Sequence, residues 1–314
     1  MALNVNLTST GGLNDASAIF YDRKLLTRLM FQLFLQESAE KRTLPKGNGT
    51  QIQFLRPANL AAITSPLSEG TNPNGQTWQS TKILSTPVQY GGYIAYSDRL
   101  MLEAYDNITE AMHDVLGYQA GLSLDTIMRI ALTGNVTTQY TGTAVSEITT
   151  SVATAAVDFR KAAKFLKTGA VLPFEDGCYH AVVHPATSAD LQADSAAGGW
   201  LDVNRYVSIA AEHHKVLVGE LGKLVSCRFQ ESQNILTGTG AASATTYHSF
   251  VFGEQGVGSV DVANQGIQKI VHQPGDSGVA DPLNLNGTIG WKAYAVFPVL
   301  DANRIVELIG TSNY

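Results

Sequence analysis

Apolar residues recur along the chain in two rhythms, and the changes of rhythm mark its parts. From Ser17 to Lys41 the residues Phe20, Leu25, Leu26, Leu29, Met30, Leu33 and Phe34 return every three or four positions, with Arg23, Lys24, Arg28 and Glu37 between them. That spacing predicts a helix, stopped by Leu44-Pro45-Lys46-Gly47-Asn48-Gly49. The period returns at Ile108, Ala111, Met112, Val115, Tyr118, Leu122, Ile127 and Ala131. Asp106-Asn107 with Glu110 offers a capping box at its start, and Gly134 ends it. The result is a rod of roughly 26 residues, about 39 Å long. Shorter helices are expected at 157–166 and around 186–194. Strands are expected at 179–183, 224–229, 247–252, 268–272, 289–299 and 304–309. No regular βαβ repeat connects them, so the fold class is α+β.

Residues 46–97 follow neither rhythm for long. Thr50-Gln51-Ile52-Gln53-Phe54-Leu55-Arg56 reads as a strand going out, and Lys82-Ile83-Leu84 with Val88-Gln89-Tyr90 as its return. Between them lies a stretch dense in turn formers, including Asn74-Gly75, a pair suited to a tight hairpin turn. This segment has too few apolar residues for a core of its own, and an isolated hairpin is marginal in water. It therefore needs another surface to lie on, and another copy of the same chain can supply one. Residues 1–16 are polar and read as a flexible arm.

Composition sharpens this picture. The chain has 314 residues, 44% of them apolar and only 15% charged, against roughly 25% charged in average soluble domains. Depletion of charge is a mark of interface cores. The net charge of −6 argues against a broad phosphate-gripping face. Within 46–97 the ionisable residues are Lys46, Arg56, Lys82 and Glu69, a net of +2, which leaves −8 on the rest. The first ten residues hold no basic group and no apolar core, so no signal peptide is expected. No run approaches the ~20 apolar residues of a membrane span. Two cysteines, Cys178 and Cys227, make no disulfide framework and suit a reducing cytoplasm. A Thr/Ser/Ala-rich link at 135–154 marks a boundary between lobes.

Candidate chemistry is sparse. Gly275-Asp276-Ser277-Gly278 matches the nucleophile loop of chymotrypsin-like proteases, with His213 and His214 upstream. Val279 stands where that family has glycine, and the all-β rhythm is missing, so a loop between strands is the better reading. Cys178, His180 and His184 are ligand types for zinc, yet on a strand they spread over about 20 Å. Gly253-Glu254-Gln255-Gly256-Val257-Gly258 lacks the order and the Lys of a phosphate-binding loop and reads as a turn. No catalytic residue, cofactor or metal is expected.

Four blocks in order carry a resemblance that covers most of the chain. They are Pro66–Gln76 leading to Val88–Asp98, Val182-Val183-His184-Pro185 with Asp190-Leu191 and then Trp200-Leu201, Gly219-Glu220-Leu221-Gly222-Lys223 with Arg228-Phe229-Gln230-Glu231, and Asp281–Lys292. Together they resemble the major capsid proteins of tailed bacteriophages with the Hong Kong 97 (HK97)-type fold, and most of all the N4-like phage capsids. The resemblance implies an N-terminal arm and helix at 1–45, an extended E-loop at 46–97, and a P-domain at 98–144 and 284–314 with its spine helix at about 107–133. It places an A-domain at 145–283. It further implies self-assembly into hexamers and pentamers of an icosahedral virion shell, made in the bacterial host cytoplasm, that encloses double-stranded DNA without sequence-specific binding and involves no membrane. Separate scaffolding, portal and cement proteins are the expected partners. Glu69, Trp78 and Lys82 are expected at an arm–neighbour contact, Trp200, Asp202 and Arg205 near the ring axis, and Gly47, Gly49, Gly91 and Gly92 at hinges. The competing readings are an encapsulin-like compartment shell, a tail tube and a hydrolase using Ser277.

Overall fold

The computed structural model describes residues 5–6, 34–67, 69–70, 72, 74–103, 108–149, 153–194, 220–224, 226–263, 266–276 and 281–313. Short strand β1 (Val5–Asn6) is followed by α1 (Phe34–Glu37), β2 (Ala39–Leu44), β3 (Ile52–Pro57), β4 (Ser80–Ser85) and β5 (Val88–Ser97). Helices α2 (Asp98–Glu103) and α3 (Ile108–Leu132) come next, then β6 (Thr137–Tyr140), α4 (Ala156–Thr168), β7 (Tyr179–Val183) and α5 (Pro185–Ala193). The remaining strands are β8 (Glu220–Leu224), β9 (Cys227–Glu231), β10 (Thr237–Thr239), β11 (Thr245–Phe252), β12 (Val257–Val262), β13 (Gln268–His272), β14 (Asn286–Ala295) and β15 (Ile305–Thr311).

The long helix and a four-stranded sheet form one layer pair. The sheet runs β1-β5-β14-β13, with β5 and β14 paired over ten residues from Val88↔Ala295 to Ser97↔Asn286. Every second residue of β14 is buried, from Gly287 through Ile289, Trp291 and Ala293 to Ala295. That face meets α3, whose Met112, Leu116, Ala120, Leu124, Met128 and Leu132 are buried at every fourth position. At 3.6 residues per turn this row drifts about 40° per step, so the buried side of α3 winds around the helix along its length. Gly134 ends the helix in the left-handed conformation (φ 74°), and Asn135 N–H donates to Leu132 O at 3.0 Å. The same core continues through Phe250, Phe252 and Ile305 into the second sheet.

That second sheet has seven strands, in the order β6-β15-β11-β7-β9-β8, with β10 on β11. Helix α4 covers one face with Ala156, Phe159, Ala162, Ala163 and Leu166. Phe159 meets Phe229 edge-on at 5.0 Å, a favoured aromatic geometry. Helix α5 opens with Pro185 at its first turn, and His184 Nδ1 accepts the Ala186 N–H at 3.1 Å.

The structure corrects several sequence expectations. The helix expected to run to Lys41 ends at Glu37, and Ala39–Leu44 is instead a strand parallel to β12; residues 17–33 lie outside the described part. Pairing with a segment over two hundred residues away overrides the helical preference of Ala-Glu-Lys-Arg. Val88-Gln89-Tyr90 is not the arm's return strand, because β5 belongs to the four-stranded sheet. The strand expected at 224–229 is a hairpin, β8 and β9, turning near Ser226 (φ 64°). Residues of β6 and β15 pair within the seven-stranded sheet, and β13 within the four-stranded one.

Candidate intersubunit surface

The β3–β4 ladder is a two-stranded limb with two unlike faces. Its register, Ile52↔Ser85 through Pro57↔Ser80, puts Ile52, Phe54 and Arg56 with Ser85, Ile83 and Thr81 on one side, since side chains alternate along a strand. Phe54 is buried, and a methyl group placed on Gly258 of β12 would stand 3.2 Å from its ring. The Arg42 guanidinium lies 5.8 Å over the same ring. Arg56 Nη1 sits 2.7 Å from Asp301 Oδ1. This face anchors the root of the limb to its own body.

The opposite face carries Gln53, Leu55 and Lys82, with Leu84 diagonal to Leu55. Leu55 and Leu84 are exposed. Beyond the ladder, one further bond joins Ala58 N–H to Gln79 O at 2.9 Å, and Gln76 Nε2 donates to Ala61 O at 3.2 Å. Around Asn74-Gly75 no tight hairpin turn forms, and a wide loop takes its place among the described residues. Leu60 and Trp78 on that loop are exposed, Trp78 by 64%, and Ile63 and Leu67 each by 74%. Six large apolar side chains thus stand in water on one limb. Fully burying one such side chain contributes about 1.5–3 kcal/mol, so a matching surface would hold this limb firmly.

The predicted contact residues fall as follows. Trp78 is not buried by its own hairpin, Lys82 points from the outward face across from Leu55, and Glu69 is exposed near the tip. Gly47 (φ 85°) and Gly49 (φ 87°) lie between β2 and β3 in left-handed conformations, with open space around them. Gly91 and Gly92 do not sit at a free hinge. Both are paired inside β5, where a methyl group would stand 2.7 Å from Trp291 O and 2.8 Å from Gln119 Oε1 respectively. Close packing, rather than rotation, explains glycine there. Trp200, Asp202, Arg205, His213, His214 and Ser277 lie outside the described residues.

The zinc-like residues are otherwise engaged. His180 stacks on Phe174 at 4.0 Å, and burial holds its pKa below the usual imidazole value. His184 is the α5 cap, and burial lowers its pKa too. Cys178 is buried. Among the described residues no group of three or more His, Cys, Asp or Glu could hold a metal ion, and no helix is long and apolar enough to cross a membrane. The 253–258 glycine run is a turn into β12, fixed by Gly253 N–H donating to Arg304 O at 2.8 Å.

Sequence reasoning passed over the anchors. Phe54 and Asp301 carry no local signature, since each acts through a partner far along the chain.

A family model described as "Phage capsid protein" matches residues 80–308. The capsid of Ralstonia phage GP4 is similar over 88% of this chain and 87% of its own, at 12% identity and a TM-score of 0.68. The capsid of cyanophage Pam1 is similar over 85% and 86%, at 17% identity and a TM-score of 0.66. The capsid of a native GTA particle is similar over 99% and 96%, at 13% identity and a TM-score of 0.59. No curated protein sequence matches the chain.

Proposed function

The chain belongs to the phage capsid protein family, and on that premise we propose that it is a major capsid protein whose β3–β4 limb drapes over a neighbouring copy as a shell closes. Its fold is the HK97-type fold, α+β throughout. The observation that carries the reading is the limb itself: it is anchored on one face and leaves Leu55, Leu60, Ile63, Leu67, Trp78 and Leu84 in water. Such a patch on a free-standing protein is an interaction surface.

In this reading, heterologous contacts close copies into hexamers and pentamers, and these tile an icosahedral virion shell around double-stranded DNA. Each copy is held at several places, so modest contacts add up. Glu69, Trp78 and Lys82 lie in the limb–neighbour contact, with Trp78 as an anchor, and Trp200, Asp202 and Arg205 near the ring axis. Within the family we place the chain with the N4-like capsids on its four sequence blocks. Assembly takes place in the host cytoplasm with separate scaffolding, portal and cement proteins. Re-aiming of the limb turns at Gly47 and Gly49, whose backbone is unhindered.

Negative-stain microscopy of the purified chain tests this. Closed icosahedral particles are expected. Particles loaded with a cargo protein and lacking DNA in infected or native cells would favour a compartment shell, helical tubes a tail component, and a monodisperse monomer at high concentration would overturn the assembly reading.

A further inference from the structure

Asp125 is 1% exposed, in the C-terminal third of the long helix α3, on the side where that helix meets two other parts of the chain. The loop after β9 reaches it through Asn234. The Asn234 Nδ2 donates to Asp125 Oδ2 at 2.8 Å and to Thr126 Oγ1 at 3.0 Å. In return, Arg129 Nη1 donates to Asn234 O at 2.8 Å and to its Oδ1 at 2.9 Å. Helix α1 packs on α3 at the same level, with Leu35 in the core. Asn234 is fully satisfied, whereas Asp125 Oδ1 is buried without a hydrogen-bond partner. A buried carboxylate in that position is costly when ionised and comfortable when neutral.

We propose that Asp125 and Asn234 form a proton-controlled clasp joining the long helix to α1 and to the loop after β9, tight when Asp125 is protonated and loosened when it ionises. Ionisation leaves a buried charge with one bare oxygen, and the state that relieves it is one in which α1 or the Ser232–Ile235 stretch lifts and lets water in. Burial pushes the Asp125 pKa from 3.8 up to about 6, against the pull of Asn234, the Leu35 backbone and Arg129. Because the packed-state pKa is raised, the advantage of packing is complete below the ordinary carboxylate range and falls away as pH rises through about 6.

Other titratable groups on the surrounding elements must be separated from this one. Arg129 is on α3 itself. On α1, Glu37 Oε2 accepts from Gln230 Nε2 at 2.8 Å. On the sheet side, His180 lies 3.4 Å from both Ser38 Oγ and Asp176, and Arg228 pairs with Asp176 at 3.0 Å. The loop from Ser232 to Leu236 holds no charged residue.

Hydrogen exchange of the purified full-length chain, read by mass spectrometry and corrected for intrinsic rates, tests the clasp. Segments 34–38 and 232–236 should be about tenfold less protected at about pH 7.5 than at about pH 5. Asp125→Asn keeps the shape and removes the charge, so its protection should be the same at both. Equal protection of the wild type at both values, or an undiminished pH effect in Asp125→Asn, overturns the proposal. Should Asp125→Asn fail to fold, Glu37→Gln and His180→Gln decide by elimination. Survival of the effect in both supports Asp125, and its loss in either assigns the effect elsewhere. The readout is that of the isolated chain, so it stands or falls independently of shell assembly.

Discussion

Arg56 on the limb and Asp301 in the loop before β15 stand 2.7 Å apart, and Asp301 turns its other oxygen toward Arg304 Nε at 3.6 Å. One carboxylate thus lies between a guanidinium of the limb and one of the body. The Arg56 side chain is 40% exposed, and an exposed ion pair contributes only about 0–1 kcal/mol. The pair therefore sets the direction of the limb more than the stability of the fold. Arg56→Gln, which removes the limb's charge and leaves Asp301 capping Asn303, should shift a urea unfolding curve by less than about 1 kcal/mol while raising amide exchange across 52–57. A loss of several kcal/mol would show that the pair supports the body as well.

Side chains on the outward face should matter only when copies meet. Leu55→Ser, Trp78→Ser and Leu84→Ser are each expected to leave the melting of the free chain within about 0.5 kcal/mol of wild type. The double variant Leu55→Ser/Trp78→Ser should lower the yield of sedimenting particles severalfold, measured on sucrose gradients. Phe54→Ala makes the contrast: it removes a buried ring from the root and should destabilise the chain itself by about 3 kcal/mol or more.

Gly91 and Gly92 give a prediction on packing. The backbone of Trp291 crowds Gly91, and at Gly92 a methyl group would push into Gln119 Oε1, which accepts the Trp291 Nε1–H at 3.2 Å. Gly91→Ala should cost about 1–3 kcal/mol and lower Tm, because the clash is with backbone. Gly92→Ala should cost less if Gln119 swings aside. Gly75→Ala, with nothing near it, should be neutral. Gly91→Ala with unchanged Tm would restore the flexible reading of this site.

Cys227 lies buried among apolar neighbours, and burial first, then the nearby Cys178, pushes its thiol up to about 12. A thiol held that far above neutrality carries almost no thiolate. Ellman's reagent should leave the native chain essentially unlabelled and find both thiols after denaturation. Rapid labelling of the native chain would mean that the β7–β9 region opens readily.

Legibility in the sequence followed the range of the interactions. The long helix was readable to within a residue or two at each end because its stripe and its terminal glycine are local, as are the α4 stripe and the β7 run. Strand β2 was not, because Ala39–Leu44 becomes extended only by pairing with Val257–Val262. The lack of a core in residues 46–97 is legible, and so is the return at Lys82-Ile83-Leu84, but the place of Val88-Gln89-Tyr90 is not: nothing in Val88–Ser97 says that its partner is β14. The Arg56–Asp301 anchor and the Asp125–Asn234 contact join distant residues, and no spacing rule could have paired them.

The most direct measurement is hydroxyl-radical footprinting of the limb in free chains and in assembled particles, followed residue by residue at Leu55, Ile63, Leu67, Trp78 and Leu84. These side chains should be readily oxidised in the free chain and several times less so after assembly, while core residues such as Phe159 stay protected in both. Equal oxidation in the two states, or protection already present in a free monomer, would contradict the account, since the limb would then not need a neighbouring copy at all.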